Sequence, residues 1–348
     1  MTPIDHTRAT VEELESFDTV IDARSPSEFA EDHIPGAINC PVLDDQQRIT
    51  VGTLYKQSSP FEARKVGAVL VARNVARHIE TLFADKPRGW KPLVYCWRGG
   101  QRSGAFTHIL REVGWGARRL QGGYKVWRHH VIEQLQELPQ PLRFNVIAGP
   151  TGSGKTRLLQ ALQAQGHQVL DLEALAAHKG SVLGDLPGLP QPSQKMFETL
   201  VLQAVSQFDP ARPVFVESES KRIGQLRVPD AVFQGIQDGR WLRIEASMEQ
   251  RVQFLLRDYA YFLSGPELVQ QLDRLKESCG GATVERWKQL AQQQEFPTLV
   301  GELLVQHYDR FYLRSMNHHA EGTPHDRFAT DDLSDAGMEV LARRIAVG

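Results

Sequence analysis

One cysteine of the sequence stands where a reactive thiol would be placed. Cys96 follows the short apolar stretch 93–95 and opens the run Cys-Trp-Arg-Gly-Gly-Gln-Arg-Ser. The apolar stretch predicts a buried strand, and residues Gly104 to Val113 predict a helix that starts just after the loop. Backbone N–H groups and a helix N-terminus would then face the sulfur, which favours the thiolate and lowers the thiol pKa. The loop residues expected to hold an oxyanion beside the sulfur are Arg98, Gly99, Gly100, Arg102 and Ser103.

The spacing of this loop suggests what it binds. Five residues separate Cys96 from Arg102, a spacing that resembles the phosphate-binding loop of cysteine phosphatases. Tyr95 takes the place of the histidine that usually precedes the cysteine of tyrosine phosphatases, which argues against that family. We therefore hypothesise that the loop accommodates a tetrahedral, phosphate-like chalcogen donor. The alternative is an unreactive cysteine buried at a strand end.

A second glycine-rich loop lies further along the chain. The stretch 143–148 predicts a strand, and Gly-Pro-Thr-Gly-Ser-Gly-Lys-Thr follows it and opens a helix predicted over 157–165. This is a complete P-loop in the strand, loop and helix context that it requires. Its N–H groups would surround phosphate oxygens, its lysine would supply a point charge, and its threonine would reach a magnesium ion. The predicted phosphate-binding residues are Gly149, Gly152, Ser153, Gly154, Lys155 and Thr156.

Acidic residues follow the next apolar stretch, 213–216, which predicts another strand. Glu217 and Glu219 lie where P-loop proteins carry a magnesium-binding acid, and either could hold the ion directly or through water. No neighbouring residue is recognisable as one that positions an attacking water. The P-loop ligand therefore stays open at this point, and we expect no tightly bound cofactor.

Composition predicts a globular protein of the cytoplasm. The chain has 348 residues, 41% of them hydrophobic and 24% charged, which suits two domains with separate cores. Its three cysteines are too few and too scattered for a disulfide framework or a structural zinc site, as expected in a reducing compartment. No secretory segment or membrane span is evident. Cys40 and Cys279 lack basic surroundings, so we interpret both as unreactive.

A basic, tryptophan-rich stretch surrounds the predicted thiol. Nine Lys/Arg and one acid lie between Arg88 and His130, a net charge of +8 in a chain whose overall charge is −2. Four of the six tryptophans lie in the same stretch. Interleaved cations and aromatic rings suit an RNA strand whose bases are splayed out and stacked. The alternative is a solvated basic face with tryptophans in the core.

Motifs and breaks divide the chain into two domains. Asp-Ala-Arg-Ser at 22–25, His-Ile-Pro-Gly at 33–36 and Leu-Gln-Gly-Gly-Tyr at 120–124 stand in the order typical of the rhodanese domain, which this region resembles. Asp32 departs from that pattern, where glycine is usual. Two prolines near residue 140 break the preceding helical pattern. We predict an α/β chain with an N-terminal rhodanese-like domain at 1–138, a linker at 139–143 and a C-terminal P-loop NTPase-like parallel-sheet domain at 144–348.

The combination resembles the bacterial tRNA 2-selenouridine synthase family over essentially the whole chain. The cysteine loop, the P-loop, Glu-Ser-Glu-Ser at 217–220 and His-Lys-Gly-Ser at 178–181 carry the resemblance. It implies a tRNA-modifying transferase that replaces the sulfur of wobble 2-thiouridine by selenium from selenophosphate, through an S-geranyl intermediate made from geranyl diphosphate. Cys96 would carry or position selenium, Arg98 and Arg102 would hold selenophosphate, and the P-loop would bind the diphosphate. The implied partner is the anticodon loop of a thiolated tRNA, with no membrane involved.

Two other functions stay open on the residues alone. A cysteine phosphatase fused to a kinase-like domain would explain the spacing of Cys96 and Arg102, and turnover of an aryl phosphate would favour it. A non-catalytic RNA-binding or sulfur-relay module, whose P-loop senses a nucleotide, would explain the basic stretch. Tight binding of ATP with no effect of geranyl diphosphate would favour that second function.

Overall fold

The computed structural model describes residues 7–186, 188–218, 220–263, 267–312 and 326–347. The chain divides into two compact units. The first runs up to Gln134 and includes Ser193–Gln203, and the second comprises Leu135–Pro192 and the chain from Ala204 onward. The turn at residues 138–141 lies between a helix and the next strand, as the prolines predict. The domain limits drawn from the sequence stay a prediction.

The first unit is built on a five-stranded parallel sheet. Its strands are β1 (Arg8–Ala9), β2 (Thr19–Asp22), β3 (Ile38–Asn39), β4 (Pro92–Tyr95) and β5 (Arg118–Leu120). They lie in the order β1-β5-β4-β2-β3, and every neighbouring pair is parallel. All four residues of β4 are buried, as expected for the central strand of a sheet covered on both faces. Its carboxyl end delivers Cys96.

Helices cover this sheet. They are α1 (Pro26–Glu31), α2 (Asp45–Gln57), α3 (Pro60–His78), α4 (Gln101–Glu112) and α5 (Tyr124–Glu137). The stretch 41–78 contains α2 and α3, and a π-helical turn follows at Ile79–Phe83. Val75 of α3 and Phe83 join Trp90, Phe106 and Trp115 in the core. The end of α3 and the turn after it thus contribute to the core, whereas α2 has no buried residue.

The second unit carries another five-stranded parallel sheet. Its strands are β6 (Phe144–Ala148), β7 (Gln168–Leu170), β8 (Val214–Glu217), β11 (Arg240–Glu245) and β12 (Asp326–Ala329), in the order β12-β11-β6-β8-β7. A short antiparallel pair joins β9 (Arg222–Ile223) to β10 (Leu226–Arg227). The P-loop follows β6, and Glu217 ends the neighbouring β8 opposite Ile147. Ligands of open parallel sheets bind at this carboxyl edge.

Two apolar clusters stabilise the second unit. Its helices are α6 (Lys155–Ala164), α7 (Leu172–Leu175), α9 (Asp230–Gln237), α10 (Met248–Asp258), α11 (Ala260–Leu263), α12 (Glu267–Leu272), α13 (Lys276–Cys279), α14 (Gly281–Gln292), α15 (Phe296–Leu303) and α16 (Asp335–Val347), while α8 (Gln194–Val205) falls mostly in the first unit. One cluster packs α6 and α16 against the sheet through Leu158 and Leu341. The other surrounds the fully buried Trp287 of α14. Within the described residues, no helix has the length and apolarity needed to cross a bilayer.

Candidate active site

Cys96 lies directly after β4, at the base of a tight loop. Its residue is 3% exposed, and its Sγ lies 3.1 Å from the Oγ of Ser103. Helix α4 begins at Gln101, three residues earlier than predicted, so Arg102 and Ser103 belong to its first turn. That turn brings the hydroxyl of Ser103 against the sulfur, where it can donate a hydrogen bond to a thiolate.

Two glycines let neighbouring loops approach each other closely around the thiol. Gly99 and Gly123 both have φ +62°, in the left-handed region that favours glycine. A Cβ at Gly99 would lie 2.7 Å from the carbonyl oxygen of Leu120, and one at Gly123 would overlap the carbonyl oxygen of Cys96. The N–H of Tyr124 donates to that same oxygen over 2.8 Å. Gly123 was not among the predicted site residues, although the Leu-Gln-Gly-Gly-Tyr motif marks it.

The two predicted cations of the loop have different surroundings. Arg102 donates to the carboxylate of Glu28 at 2.8 and 3.4 Å. Burial opposes ionisation of Glu28, but the hydrogen bond and charge of Arg102 outweigh it and hold the pKa of that carboxyl below its ordinary value. Arg98 is exposed, and no described residue forms a hydrogen bond or ion pair with it. Arg98 is thus available to bind an anion, whereas Arg102 is already paired with a carboxylate. The role of both arginines in holding selenophosphate stays a prediction.

A buried ion pair lies beneath the loop. Arg24 is 1% exposed and donates to the carboxylate of Asp22 from its backbone N–H, Nε and Nη2. Its Nη2 also donates to the carbonyl oxygen of Asp32 over 2.6 Å. Its guanidinium lies 3.9 Å from the ring centroid of Tyr124, whose hydroxyl donates to Asp32 over 2.7 Å. Asp32, the departure from the rhodanese pattern, therefore anchors the tyrosine that hydrogen-bonds to Cys96. Sequence reasoning identified these motifs without identifying this role.

The tryptophans of the basic stretch mostly belong to the core. Trp90, Trp115 and Trp127 are 3%, 8% and 7% exposed, so for these three the core alternative holds. Trp97 is 36% exposed, and its ring centroid lies 5.3 Å from that of Tyr124. One exposed aromatic ring therefore lies next to the exposed Arg98, directly after the thiol.

The P-loop forms the tight glycine turn that the motif predicts. Gly152 and Gly154 have φ +83° and +77°, which a side chain would disfavour. A Cβ at Gly149 would lie 2.5 Å from the Oγ of Ser153, so this turn has no room for one. Lys155 begins α6, and its Nζ donates to the carbonyl oxygen of Gly149 over 3.2 Å. The ammonium thus stays beside the loop, where a phosphate would bind.

Carboxylates surround the first turn of α6. The hydroxyl of Thr156 donates to Glu173 over 3.2 Å. Glu217 is 2% exposed, and its Oε1 has no hydrogen-bond partner among the described residues. Burial raises the pKa of Glu217, while the charge of Lys155 and the hydroxyl of Thr156 act in the opposite direction. An unpartnered oxygen beside a threonine hydroxyl suits a magnesium ion. Glu219 lies outside the described residues.

A large cavity opens over the P-loop. It has a volume of about 570 Å³, and Lys155, Thr156 and Glu217 contribute to its polar side. Aromatic residues form another part of its lining, among them Phe254, Tyr259, Tyr308, Phe311 and Tyr312. The cavity therefore offers a phosphate-binding end and a broad aromatic wall.

A smaller, apolar cavity adjoins the large one. It has a volume of about 60 Å³ and shares Thr151, Ser181, Leu255, Tyr259 and Tyr308 with the P-loop cavity. The residues that line the small cavity alone are all aliphatic: Leu183, Leu263, Leu268, Leu299, Val300, Leu303 and Leu304. An aliphatic lining therefore lies next to the cavity that opens over the P-loop.

An arginine of α10 supports the P-loop from behind. Arg251 is 5% exposed and donates from Nε to the carbonyl oxygen of Thr151 over 2.9 Å. Its other nitrogens form a two-bond pair with Asp309 at 2.6 and 3.0 Å. Arg257 donates to the carbonyl oxygen of Leu333. Both arginines thus hold protein groups, and Arg251 fixes the loop backbone.

Family comparisons agree with this two-part architecture. The rhodanese-like domain family matches residues 7–130, and the tRNA 2-selenouridine synthase AAA domain family matches residues 142–273. The two ranges contain the cysteine loop and the P-loop respectively. Among the described residues, no group of three or more His, Cys, Asp or Glu side chains could hold a metal ion.

Similar proteins share a single name. The tRNA 2-selenouridine synthase of Nitrosomonas europaea is 36% identical over 79% of this chain and 71% of its own length. The protein of that name from Alcanivorax borkumensis is 35% identical over 79% of each chain, and that of Marinobacter nauticus is 30% identical over 84% and 87%. These matches span both units at substantial identity. The chain belongs to the tRNA 2-selenouridine synthase family.

Proposed function

We propose that this chain is a cytoplasmic transferase that replaces the sulfur of wobble 2-thiouridine in a tRNA anticodon loop by selenium. Selenophosphate supplies the selenium, and S-geranyl-2-thiouridine, made from geranyl diphosphate, is the intermediate. The names of the family members support the overall reaction. The observation that carries the geranyl step is the aliphatic cavity next to the P-loop cavity, because the donor joins a diphosphate to a hydrocarbon.

The P-loop binds the diphosphate of this donor. When the sulfur of the base attacks C1 of the geranyl group, the C1–O bond breaks and negative charge grows on the leaving diphosphate. Lys155 and the loop N–H groups stabilise that charge more strongly in the transition state than in the bound donor. Arg251 holds the loop backbone in place at Thr151.

Magnesium fits the same end of the cavity. The hydroxyl of Thr156 and the unpartnered carboxylate oxygen of Glu217 would hold the ion, since both are oxygen ligands of the kind that magnesium prefers. A bound magnesium ion neutralises charge on the diphosphate. Glu173, which accepts from Thr156, orients that hydroxyl.

The hydrocarbon of the donor lies along the aromatic wall and ends in the aliphatic cavity. Burial of apolar surface contributes about 25 cal/mol per Å² to the free energy of binding. The geranyl group therefore adds affinity that a nucleotide could not gain there. Tyr259 and Tyr308 line both cavities.

The Cys96 loop serves the selenium step. In that step the selenium of selenophosphate forms a bond to C2 of the base and the C2–S bond breaks, releasing geranylthiol. Water then cleaves the Se–P bond, which releases phosphate and leaves 2-selenouridine with its N3 proton restored. Cys96 positions the selenium of the donor, with Arg98 and the loop N–H groups on the oxyanion side. The engagement of Arg102 by Glu28 disfavours the phosphatase alternative, in which that arginine would bind the substrate phosphate.

An anaerobic reconstitution tests the proposal. Thiolated tRNA is incubated with the pure protein, geranyl diphosphate, selenophosphate and magnesium, and nucleosides are measured by mass spectrometry over time. We expect S-geranyl-2-thiouridine to rise first and 2-selenouridine to replace it. Omitting selenophosphate should stop the reaction at the geranylated base. Selenation without geranyl diphosphate, or competition by ATP with no effect of geranyl diphosphate, would contradict the proposal.

A further inference from the structure

A histidine of the P-loop cavity has neighbours that define its hydrogen bonding. His307 lies on the π-helical turn Leu304–Tyr308, is 5% exposed, and lines the large cavity. Its Nδ1 lies 3.4 Å from the Oγ of Ser278 and 3.6 Å from the Sγ of Cys279. Ser278 and Cys279 do not line that cavity. Nδ1 is thus directed at residues outside the cavity, and Nε2 is the ring nitrogen left to reach it.

The hydrogen bonds of Ser278 select one tautomer of this ring. A hydroxyl has a single hydrogen, and that of Ser278 donates to the carbonyl oxygen of Leu275 over 3.1 Å. Ser278 can then only accept from His307, so the ring hydrogen sits on Nδ1. The thiol of Cys279 is a weak donor and competes poorly for that position. No hydrogen bond joins Nε2 to a described residue, which leaves a free lone pair at the cavity.

The surroundings favour the neutral ring. Burial lowers the pKa of His307 from its ordinary value. Two titratable groups, Cys279 and Tyr308, contact the ring. On the elements packed against this turn, Lys276 pairs with Asp273, Glu277 is exposed, and Glu302 pairs with Arg286. The charged residues that line the cavity with His307 are Lys155, Glu173, Lys179, Glu217, Lys221 and Asp258.

The geranyl step requires a base. 2-Thiouridine carries a hydrogen on N3, and S-alkylation turns the C2–S double bond into a single bond while N3 becomes a ring imine nitrogen. The N3 proton must therefore leave as the S–C1 bond forms and the C1–O bond breaks. Diphosphate takes the electron pair of the broken bond, and an acceptor must take the proton. Near neutral pH an imidazole is suited to this role.

We propose that Nε2 of His307 accepts the N3 proton of 2-thiouridine during geranyl transfer, with Ser278 as a positioning residue that fixes the tautomer. This rests on the proposed geranyl step at the P-loop. It also gives a role to the Ser278–Cys279 stretch, since Cys279 otherwise lies in a helix end without basic surroundings.

His307→Gln tests the proposal directly. We expect kcat for geranylation to fall about 100-fold, the lower range of general-base effects, with little change in KM for geranyl diphosphate. The wild-type rate should fall as pH drops through the lowered pKa of His307. The pH–rate profile of the variant should lack this fall on the acidic side. His167→Gln, a histidine that does not line the cavity, is the matched control and should keep the wild-type profile.

A substrate series separates proton transfer from a structural role. Anticodon stem-loops are prepared with 2-thiouridine bases whose 5-substituents make N3–H progressively more acidic. The deficit of His307→Gln should shrink as the N3 proton becomes easier to lose. Ser278→Ala, which keeps the ring, should slow the reaction several-fold and shift the pH limb.

Three outcomes are decisive. A His307→Gln protein with wild-type rate and pH profile overturns the inference alone. A deficit that is equal for every base in the series also overturns it, because a structural defect does not depend on N3 acidity. If His307→Gln fails to fold, the substrate series with the wild-type protein and the Ser278→Ala variant still test the inference. Absence of geranylation by the wild-type protein overturns the proposed function itself.

Discussion

The Cys96 loop and the P-loop share the same strand, loop and helix arrangement but differ in their surroundings. Each follows a buried strand of a parallel sheet, each uses glycines with positive φ, and each leads into a helix. The Cys96 loop is closed, with the thiol 3% exposed and Arg102 paired to Glu28. The P-loop opens onto a cavity of about 570 Å³ with Lys155 beside it.

The difference lies in the first turn of the following helix. In α6 that turn carries Lys155 and Thr156, and both line the cavity. In α4 it carries Arg102, which turns to Glu28, and Ser103, which contacts the thiol. An open loop with an available cation suits a large, charged leaving group. A closed loop around a sulfur suits a small donor and excludes water from a sensitive group.

The largest expected effect comes from removing the open loop's cation. Lys155→Ala should lower the rate of geranylation about 100- to 1000-fold, because the growing charge on diphosphate loses its main stabilising group. Geranylation is measured in single turnover with radiolabelled donor. Gln163→Ala, an exposed position of the same helix, is the control and should keep the wild-type rate. A Lys155→Ala protein that geranylates normally would remove the basis for assigning the diphosphate to the P-loop.

The next effect tests the aliphatic cavity. Val300→Ala enlarges it and should raise the ratio of farnesyl to geranyl transfer about fivefold, since each buried CH₂ is worth about 0.8 kcal/mol. Val300→Phe narrows it and should favour the shorter dimethylallyl donor. Donors are compared pairwise in one tube by mass spectrometry. Val305→Ala, 56% exposed and outside both cavities, should leave the ratios unchanged, and equal ratios in all variants would contradict the assignment.

A smaller effect tests why the Cys96 loop is closed. Glu28→Gln removes the negative charge that engages Arg102, so Arg102 becomes free to bind an anion. We expect KM for selenophosphate to fall about threefold, and the free energy of unfolding to fall by about 1 kcal/mol or less because the pair is partly exposed. Steady-state selenation and urea unfolding measure the two effects. A rise in KM would show that the ion pair itself shapes the binding site.

The smallest expected effect is on the pH dependence of stability, through Glu217. Burial raises the pKa of Glu217, so the folded chain holds this proton more tightly than the unfolded chain. This contribution to the free energy of unfolding is present at pH values below the pKa of Glu217 in the unfolded chain. It is lost as pH rises through the raised pKa of Glu217 in the folded chain. Glu217→Gln should remove this dependence and raise thermal stability slightly at neutral pH, by about 1 kcal/mol. Thermal melts across pH without magnesium measure it; an unchanged pH dependence would contradict the argument.

Sequence patterns predicted the loops better than their environments. The strand, loop and helix around Gly149–Thr156 appeared as expected because local backbone geometry dictates a P-loop. The start of α4 was missed by three residues, because Gly100 gave no N-cap signal and tertiary contacts decide where that helix begins. Arg102 then turned to Glu28, a contact between residues 74 positions apart that no local pattern reveals.

Features that depend on three-dimensional assembly could not be predicted. The aliphatic cavity draws Leu183, Leu268 and Val300 from separate segments, none of which carries a motif. Cys279 lacks basic neighbours in sequence, and only folding brings His307 to it. Asp32 departs from the rhodanese pattern in the sequence, but only the structure shows that its carboxylate anchors Tyr124.

The central claim is that the two loops perform separate steps on one base. The most direct test is a time course with Cys96→Ser under the anaerobic conditions given above, with both donors present and nucleosides measured by mass spectrometry. The account predicts that S-geranyl-2-thiouridine forms at the wild-type rate, within about twofold, and accumulates with no 2-selenouridine. Equal loss of both products in a variant that remains folded, or unimpaired selenation, would contradict it.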